Sequence, residues 1–173
     1  MNKIIAAAQF AKEKHKSQVR KYNNKPYITH PARVASRVML FDDVLESEVC
    51  AAWLHDVVED CGVEIAEIDE LFGSFTAKIV LELTNPSKGV KASRAVRKQM
   101  DRDHLKEVSF SAKRIKLVDR LDNCLELGGA HSDFIGVYIT ETKALLSVIG
   151  NAVPELQEEI LEQLKNLERS IDY

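Results

Sequence analysis

From Val49 to Gly62 the chain reads VCAAWLHDVVEDCG. The run Val49–Val58 has the make-up of a buried helix, yet His55 and Asp56 sit inside it and Glu59 and Asp60 follow at once. An ionised carboxylate in apolar surroundings costs several kcal/mol unless it is paired or bound to a metal. On a helix His55 stacks with Glu59 and Asp56 with Asp60, so the four groups share one broad face. The spacing predicts one helix over Glu46–Asp60, ended at Cys61-Gly62 by a glycine in the usual stop position.

Helical patterning continues on both sides. Ile4, Ile5, Ala8 and Ala11 begin an amphipathic helix that ends between His15 and Gln18. A polar loop, RKYNNKPYITH (20–30), runs into Pro31, whose fixed φ suits a first helical turn, with Thr29 or His30 as the cap. Val34, Val38 and Phe41 form the inner face of that second helix. Beyond Gly62, helices are expected over Glu64–Phe72 and Ser74–Leu83. After the Asn85-Pro86-Ser87 turn and Gly89 comes a strongly basic helical segment from Ala92 to Val108. Ser109 or Ser111 caps the next helix, which runs to Leu127 and stops at Gly128-Gly129. Two long helices close the chain, Asp133–Ile149 and Pro154–Arg169. Neither an alternating strand pattern nor an internal repeat is present. The expectation is an all-α fold, one multi-helix domain over residues 1–173.

With 173 residues, 45% of them apolar and 29% charged, the composition fits a soluble globular domain with a proper core. A net charge of −3 gives no general attraction to nucleic acid or anionic membrane. No apolar run approaches the length of a membrane span, and the N-terminus carries no signal-peptide cleavage pattern. Cys50, Cys61 and Cys124 lack CxxC spacing and are expected to be free, mostly buried thiols in a reducing cytoplasm.

A second acidic stretch borders apolar residues in KLVDRLDN (116–123). There Ile115, Leu117, Val118, Leu121 and Leu125 make a core stripe, and Asp119, Asp122 and Asn123 lie along its edge. His30, fixed beside Pro31, is a third candidate. A cation needs ligands converging from several elements. His30, His55, Asp56 and Asp119 would supply two imidazoles and two carboxylates, a mixed N/O set suited to Mn²⁺, Fe²⁺, Co²⁺ or Zn²⁺ and unlike a Ca²⁺ or thiolate site.

The order H…HDxxED…KLxDxxxN resembles the HD-domain metal-dependent phosphohydrolases. The stretches KPYITHPARVA (25–35), AAWLHDVVED (51–60), IDELFGSFTAKIVLELT (68–84) and KRIKLVDRLDN (113–123) are similar to the hydrolase domain of RelA/SpoT proteins, and in size to small stand-alone alarmone hydrolases. That resemblance, over about residues 2–165, implies one Mn²⁺ held by His30, His55, Asp56 and Asp119. It also implies removal of the 3′-pyrophosphate of (p)ppGpp, a small-molecule nucleotide. Glu59 and Asp60 match the acidic pair that activates the attacking water. Arg20 and Lys21 match a basic pair on the nucleotide, and Asn123 an asparagine beside the ribose. Tyr138 resembles a tyrosine near the ribose-phosphate. Lys91, within the basic segment Lys88–Arg102, is taken as a phosphate contact. A homodimer is the assembly allowed for.

Several positions depart from the family. Asp122 stands where relatives carry His or Tyr, and a negative charge there should repel a phosphate unless it faces away or binds a cation. Asn85 replaces an aspartate. CLELGGAHSDFIGVY (124–138) replaces a longer basic loop, and Phe134 stands where some members have an arginine. These departures keep two other functions open, an HD phosphohydrolase acting on NADPH or a nucleotide monophosphate, and a non-catalytic nucleotide sensor.

Overall fold

In a computed structural model, residues 2–171 are described; Met1, Asp172 and Tyr173, the ends of the expected domain, lie outside them. Ten α-helices fill this span: α1 Lys3–Lys14, α2 Thr29–Val38, α3 Glu46–Leu54, α4 Val57–Cys61, α5 Ile65–Phe72, α6 Ser74–Leu83, α7 Arg94–Glu107, α8 Phe110–Leu125, α9 Ser132–Ile149 and α10 Pro154–Ile171. Short 3-10 turns cover Leu127–Gly129 and Gly150–Ala152. Among the described residues no strand forms; Val19 and Pro26 make only an isolated bridge. The all-α expectation holds. None of the described helices is long and apolar enough to cross a membrane.

Two helices organise the packing. α3 touches α1, α2, α6 and α8, and α8 touches α2, α3, α6, α9 and α10. Their composition explains this central place. Val49, Cys50, Ala51, Ala52 and Leu54 of α3 are all buried, as are Ile115, Leu117, Val118 and Leu121 of α8. Burying each of the larger aliphatic side chains contributes roughly 1.5–3 kcal/mol. Val34 and Val38 of α2 close the core from one side.

Several boundaries differ from the sequence pattern; the simplest is α7, which starts at Arg94 behind a Ser93 cap rather than at Ala92. The helix expected over Glu46–Asp60 is two helices, α3 and α4, broken at His55-Asp56. The His55 Nδ1–H donates to the Ala52 carbonyl at 2.8 Å, the acceptor that a continuing helix would offer to the Asp56 N–H. Asp56 consequently adopts φ −102°, ψ −7°, well away from helical ψ. α2 starts earlier than Pro31, and neither Thr29 nor His30 caps it. The preceding residue is Ile28, the Thr29 hydroxyl donates to the Pro26 carbonyl at 2.8 Å, and His30 turns into the core. α8 ends at Leu125 rather than Leu127, the two glycines being taken into the 3-10 turn. Elsewhere the punctuation follows the sequence. Ser109 caps α8 by accepting from the Ala112 N–H, and Gly62 closes α4 in the left-handed conformation at φ +68°. Cys50 and Cys124 are buried free thiols and Cys61 is a half-buried one.

Candidate metal centre

The break between α3 and α4 delivers His55 and Asp56 to the same point that His30 reaches from α2 and Asp119 from α8. His55 Nε2 lies 2.9 Å from Asp56 Oδ2, 3.3 Å from His30 Nε2 and 3.9 Å from Asp119 Oδ1. His30 Nε2 lies 3.6 Å from Asp56 Oδ2 and 3.2 Å from Asp119 Oδ1. Donors bound about 2.0–2.2 Å from a common cation lie about 3.0 Å apart at right angles and about 3.5 Å apart at tetrahedral angles. The observed separations straddle those values. His30, His55 and Asp119 are almost wholly buried.

The hydrogen bonds fix which atoms face inward. His30 Nδ1 is 2.6 Å from Asp122 Oδ2, and His55 Nδ1 is 2.8 Å from the Ala52 carbonyl. Both partners are acceptors, so each Nδ1 carries a proton, and in the neutral rings each Nε2 presents a lone pair. Two such lone pairs and the Asp56 carboxylate lie within 4.8 Å of one another, and Asp119 stands beside them, 3.2 Å from His30. A proton or a metal cation is needed to reconcile them, so the donor set fits a divalent cation.

Residues 7–151 match the model of the HD domain. The chain belongs to the HD-domain family. A frog relative from Xenopus tropicalis, guanosine-3′,5′-bis(diphosphate) 3′-pyrophosphohydrolase MESH1, is 40% identical over 126 residues, 72% of this chain and 69% of that protein. MESH1 of Danio rerio is 36% identical over 126 residues, 72% of this chain and 68% of its own length. Among solved structures, one described as a metazoan ortholog of SpoT that hydrolyzes ppGpp superposes with a TM-score of 0.86 at 26% identity, covering 96% of each chain.

In this HD-domain protein His30, Asp56 and Asp119 form part of the wall of a cavity of about 470 Å³, within the range of small-molecule sites, and His55 does not line it. Glu59 and Asp60 line the same cavity. Glu59 Oε1 accepts the Asn85 N–H at 2.6 Å, and Asp60 Oδ2 accepts from the Gln18 side chain at 2.9 Å. Arg20, Lys21, Asn123 and Tyr138 also line it. Arg20 donates to Glu126 at 2.6 Å and to Asn123 at 2.7 Å, and Asn123 in turn donates to Asp119 at 2.5 Å. Of the expected substrate contacts, Lys91 is the exception. It is exposed and does not line the cavity; Arg94 and Lys98 from the same basic segment do. Asp122 faces away from the cavity, toward His30 and Arg33, and so does not set the expected repulsion against a phosphate.

Burial and mutual charge act against each other across the cluster. Burial alone would depress the His30 imidazolium, but the Asp119 and Asp122 carboxylates outweigh it and raise its pKa to about 9. Burial opposes ionisation of Asp56, and the charge and hydrogen bond of His55 overcome it, leaving Asp56 below the usual carboxylate range. Asp119 is likewise held low against burial by Lys116 and the two histidines. Tyr27 is driven the other way, above its ordinary value by burial and by Asp56.

Several cavity residues carry no functional expectation from the sequence, Tyr27, Lys116, Arg120 and Glu126 among them. The Tyr27 hydroxyl donates to Asp56 Oδ2 at 2.6 Å; its place in KPYITH, three residues before His30, is the only sequence signal for it. Lys116 pairs with Asp119 at 2.9 Å inside the cavity rather than on the surface. Arg120 lies 4.7 Å over the Tyr138 ring and has no carboxylate within 4.0 Å among the described residues. Glu126 anchors Arg20 from the loop that departs from the family.

Proposed function

We propose that this chain is a hydrolase that removes the 3′-pyrophosphate of guanosine 3′,5′-bis(diphosphate), with His30, His55, Asp56 and Asp119 holding one Mn²⁺. The reading is carried by the grouping of His30, His55 and Asp56, with Asp119 beside them, at a cavity that also holds Glu59, Asp60 and a wall of cations. MESH1 relatives named for this activity support it, as does the likeness to the ppGpp-hydrolysing SpoT ortholog. Three unpaired cysteines agree with a reducing cytoplasm as its place of work.

In the reaction a water oxygen bonds to the phosphorus attached to O3′, the P–O3′ bond breaks, and O3′ takes up the proton that the water gives up, leaving a 3′-hydroxyl and pyrophosphate. The bound cation would lower the pKa of water and offset phosphoryl charge. Glu59, oriented by the Asn85 N–H, and Asp60, held by Gln18, are placed to accept the water proton. Lys98, Lys116 and Arg120 present positive charge toward the phosphates. The Arg120 Nε and the Tyr138 hydroxyl are buried without a hydrogen-bond partner among the described residues. A polar substrate would satisfy such groups, each of which costs about 1–3 kcal/mol unpaired. Arg20 and Asn123 sit where they can meet the nucleoside end.

The deciding experiment measures pyrophosphate release from ppGpp with Mn²⁺ and with chelator, for wild type and Glu59→Gln. Turnover that needs the metal and falls by about 10²–10⁴-fold in Glu59→Gln, with Mn²⁺ still bound, supports the assignment. A folded, Mn²⁺-loaded wild type that leaves ppGpp intact but hydrolyses NADPH or a nucleotide monophosphate would move the function to that substrate.

A further inference from the structure

Asp122 lies one turn from Asp119 on α8, yet serves a different purpose. It is 6% exposed. Its Oδ2 accepts the His30 Nδ1–H at 2.6 Å. Arg33 grips the same carboxylate as a fork, Nε to Oδ1 at 2.6 Å and Nη2 to Oδ2 at 2.9 Å. We propose that Asp122, anchored by Arg33, is a positioning residue that locks His30 in the tautomer and orientation presenting Nε2 to the metal, and that this pair sets the metal affinity of the centre. The proposal rests on the metal-centre reading above.

Three observations carry it. First, an ionised carboxylate only accepts, so the proton must sit on Nδ1 and the lone pair on Nε2. Second, the two histidine ligands are supported unequally. His55 leans on a neutral backbone carbonyl, whereas His30 leans on a charged carboxylate, the partner that makes an imidazole the stronger donor. Third, the support is tied into the rest of the site. Arg33 Nη2 donates onward to Glu126 Oε1 at 2.5 Å, and Glu126 holds Arg20, which reaches Asn123 and through it Asp119. From His30 to Asp119 the loop of polar contacts closes on itself, so the ring cannot rotate without breaking a charged contact. A carboxylate that would be a liability facing the substrate is thereby used behind the ligand.

The test is Mn²⁺ affinity by titration calorimetry on the full chain, with metal-free melting and the absorption spectrum of the Co²⁺-loaded protein recorded alongside. Asp122→Ala should weaken Mn²⁺ binding by about 10–100-fold and shift the Co²⁺ bands. Asp122→Asn, whose Oδ1 still accepts the Nδ1–H, should recover part of the affinity. Arg33→Ala combined with Asp122→Ala should bind no more weakly than Asp122→Ala alone, because the two act as one unit. That double variant and Asp122→Asn keep the test decisive should Asp122→Ala not fold. Wild-type affinity and an unchanged Co²⁺ spectrum in these variants, with only the melting temperature lowered, would reduce the pair to a structural salt bridge and overturn the proposal. His30→Ala separates the two levels. If it loses Mn²⁺ while the Asp122 variants keep it, the positioning role alone fails; if it binds like wild type, the metal centre itself is misassigned.

Discussion

Two buried clusters of charge connect the helices at the centre of this molecule, and they are built differently. In the first, Arg114 of α8 donates to both oxygens of Glu48 of α3 at 2.7 and 2.8 Å, with the side chains only 3% and 2% exposed. Leu45 N–H adds a third donor to that carboxylate at 2.9 Å, and the guanidinium lies 4.8 Å over Phe41 and 5.1 Å over Phe110. Arg114 Nη1 also donates to the exposed Asp43, and its Nε has no hydrogen-bond partner among the described residues, so the charges are paired but one donor is left over. In the second, the His30 and His55 rings and Lys116 balance the Asp56 and Asp119 carboxylates beside a cavity. The pairing of α3 with α8 is thus secured away from the cavity, and the cavity cluster is one that a bound cation would complete. A buried ion pair stabilises little relative to apolar packing, but breaking one side of it is costly. The cavity cluster should behave the other way, losing function when a member is removed while the fold persists.

The largest effect expected is therefore on turnover. Asp56→Ala removes a proposed metal ligand and the acceptor of Tyr27, and should lower ppGpp hydrolysis by at least about 10⁴-fold, the upper end of what one acid–base group supplies. Its metal-free melting temperature should stay within a few degrees of wild type. Hydrolysis that survives in Asp56→Ala, measured as pyrophosphate released, would break the contrast at its functional side.

Arg114→Ala probes the other side. It strands Glu48 in the core and should destabilise the fold by about 3–5 kcal/mol in denaturant unfolding, while the folded fraction keeps its activity. Replacing both partners with leucine should return most of that loss. If the double replacement is as unstable as the single one, the clamp contributes more than mutual neutralisation.

Metal loading should stabilise only the cavity cluster. At a free Mn²⁺ concentration of about 100 times its dissociation constant, mass action adds about 2.7 kcal/mol, which for a chain of this size raises the melting temperature by roughly 5–10 °C. Chelation should remove the increment from wild type, Asp56→Ala should never show it, and the Arg114 and Glu48 double variant should show it in full.

Which of these clusters could be read in the sequence follows from how local each is. His55, Asp56, Glu59 and Asp60 interrupt an apolar run, so their oddity is visible within a few residues. Asp119 sits on the border of a regular helical stripe, and His30 is marked by its proline. What stayed hidden depends on partners far along the chain. The Glu48–Arg114 clamp spans a separation of 66 residues and the His30–Asp122 bond one of 92. Asp119 and Asp122 are near neighbours on the same helical surface, and only the placement of α2 decides that one faces the cavity and the other Arg33. The break after Leu54 was invisible because it arises from a side chain capturing a carbonyl, and hydrophobic periodicity carries no record of that. Lys91 and Lys98 look alike in sequence because a basic segment shows only its charge: Lys91 lies ahead of α7, whereas Lys98 is brought to the cavity by the packing of α7 on α9.

The smallest effect sharpens the comparison most finely, because α8 carries both clusters. Ser109 caps this helix through Ala112 N–H, and its hydroxyl also donates to Glu82 of α6. Ser109→Ala leaves an N–H at the first turn without its acceptor, a change that costs about 1 kcal/mol and lowers the melting temperature by roughly 2–4 °C. Arg114 lies near that turn, whereas Asp119 lies more than a turn further on, inside the hydrogen-bonded body of the helix. Fraying should therefore loosen the clamp and leave the metal centre untouched. Amide exchange should quicken at residues 110–113, and Mn²⁺ affinity should equal that of wild type. If Mn²⁺ binding weakens in step with the cap, the two clusters are mechanically coupled along α8, and the separation of a fold-holding region from a binding one does not extend to the helix they share.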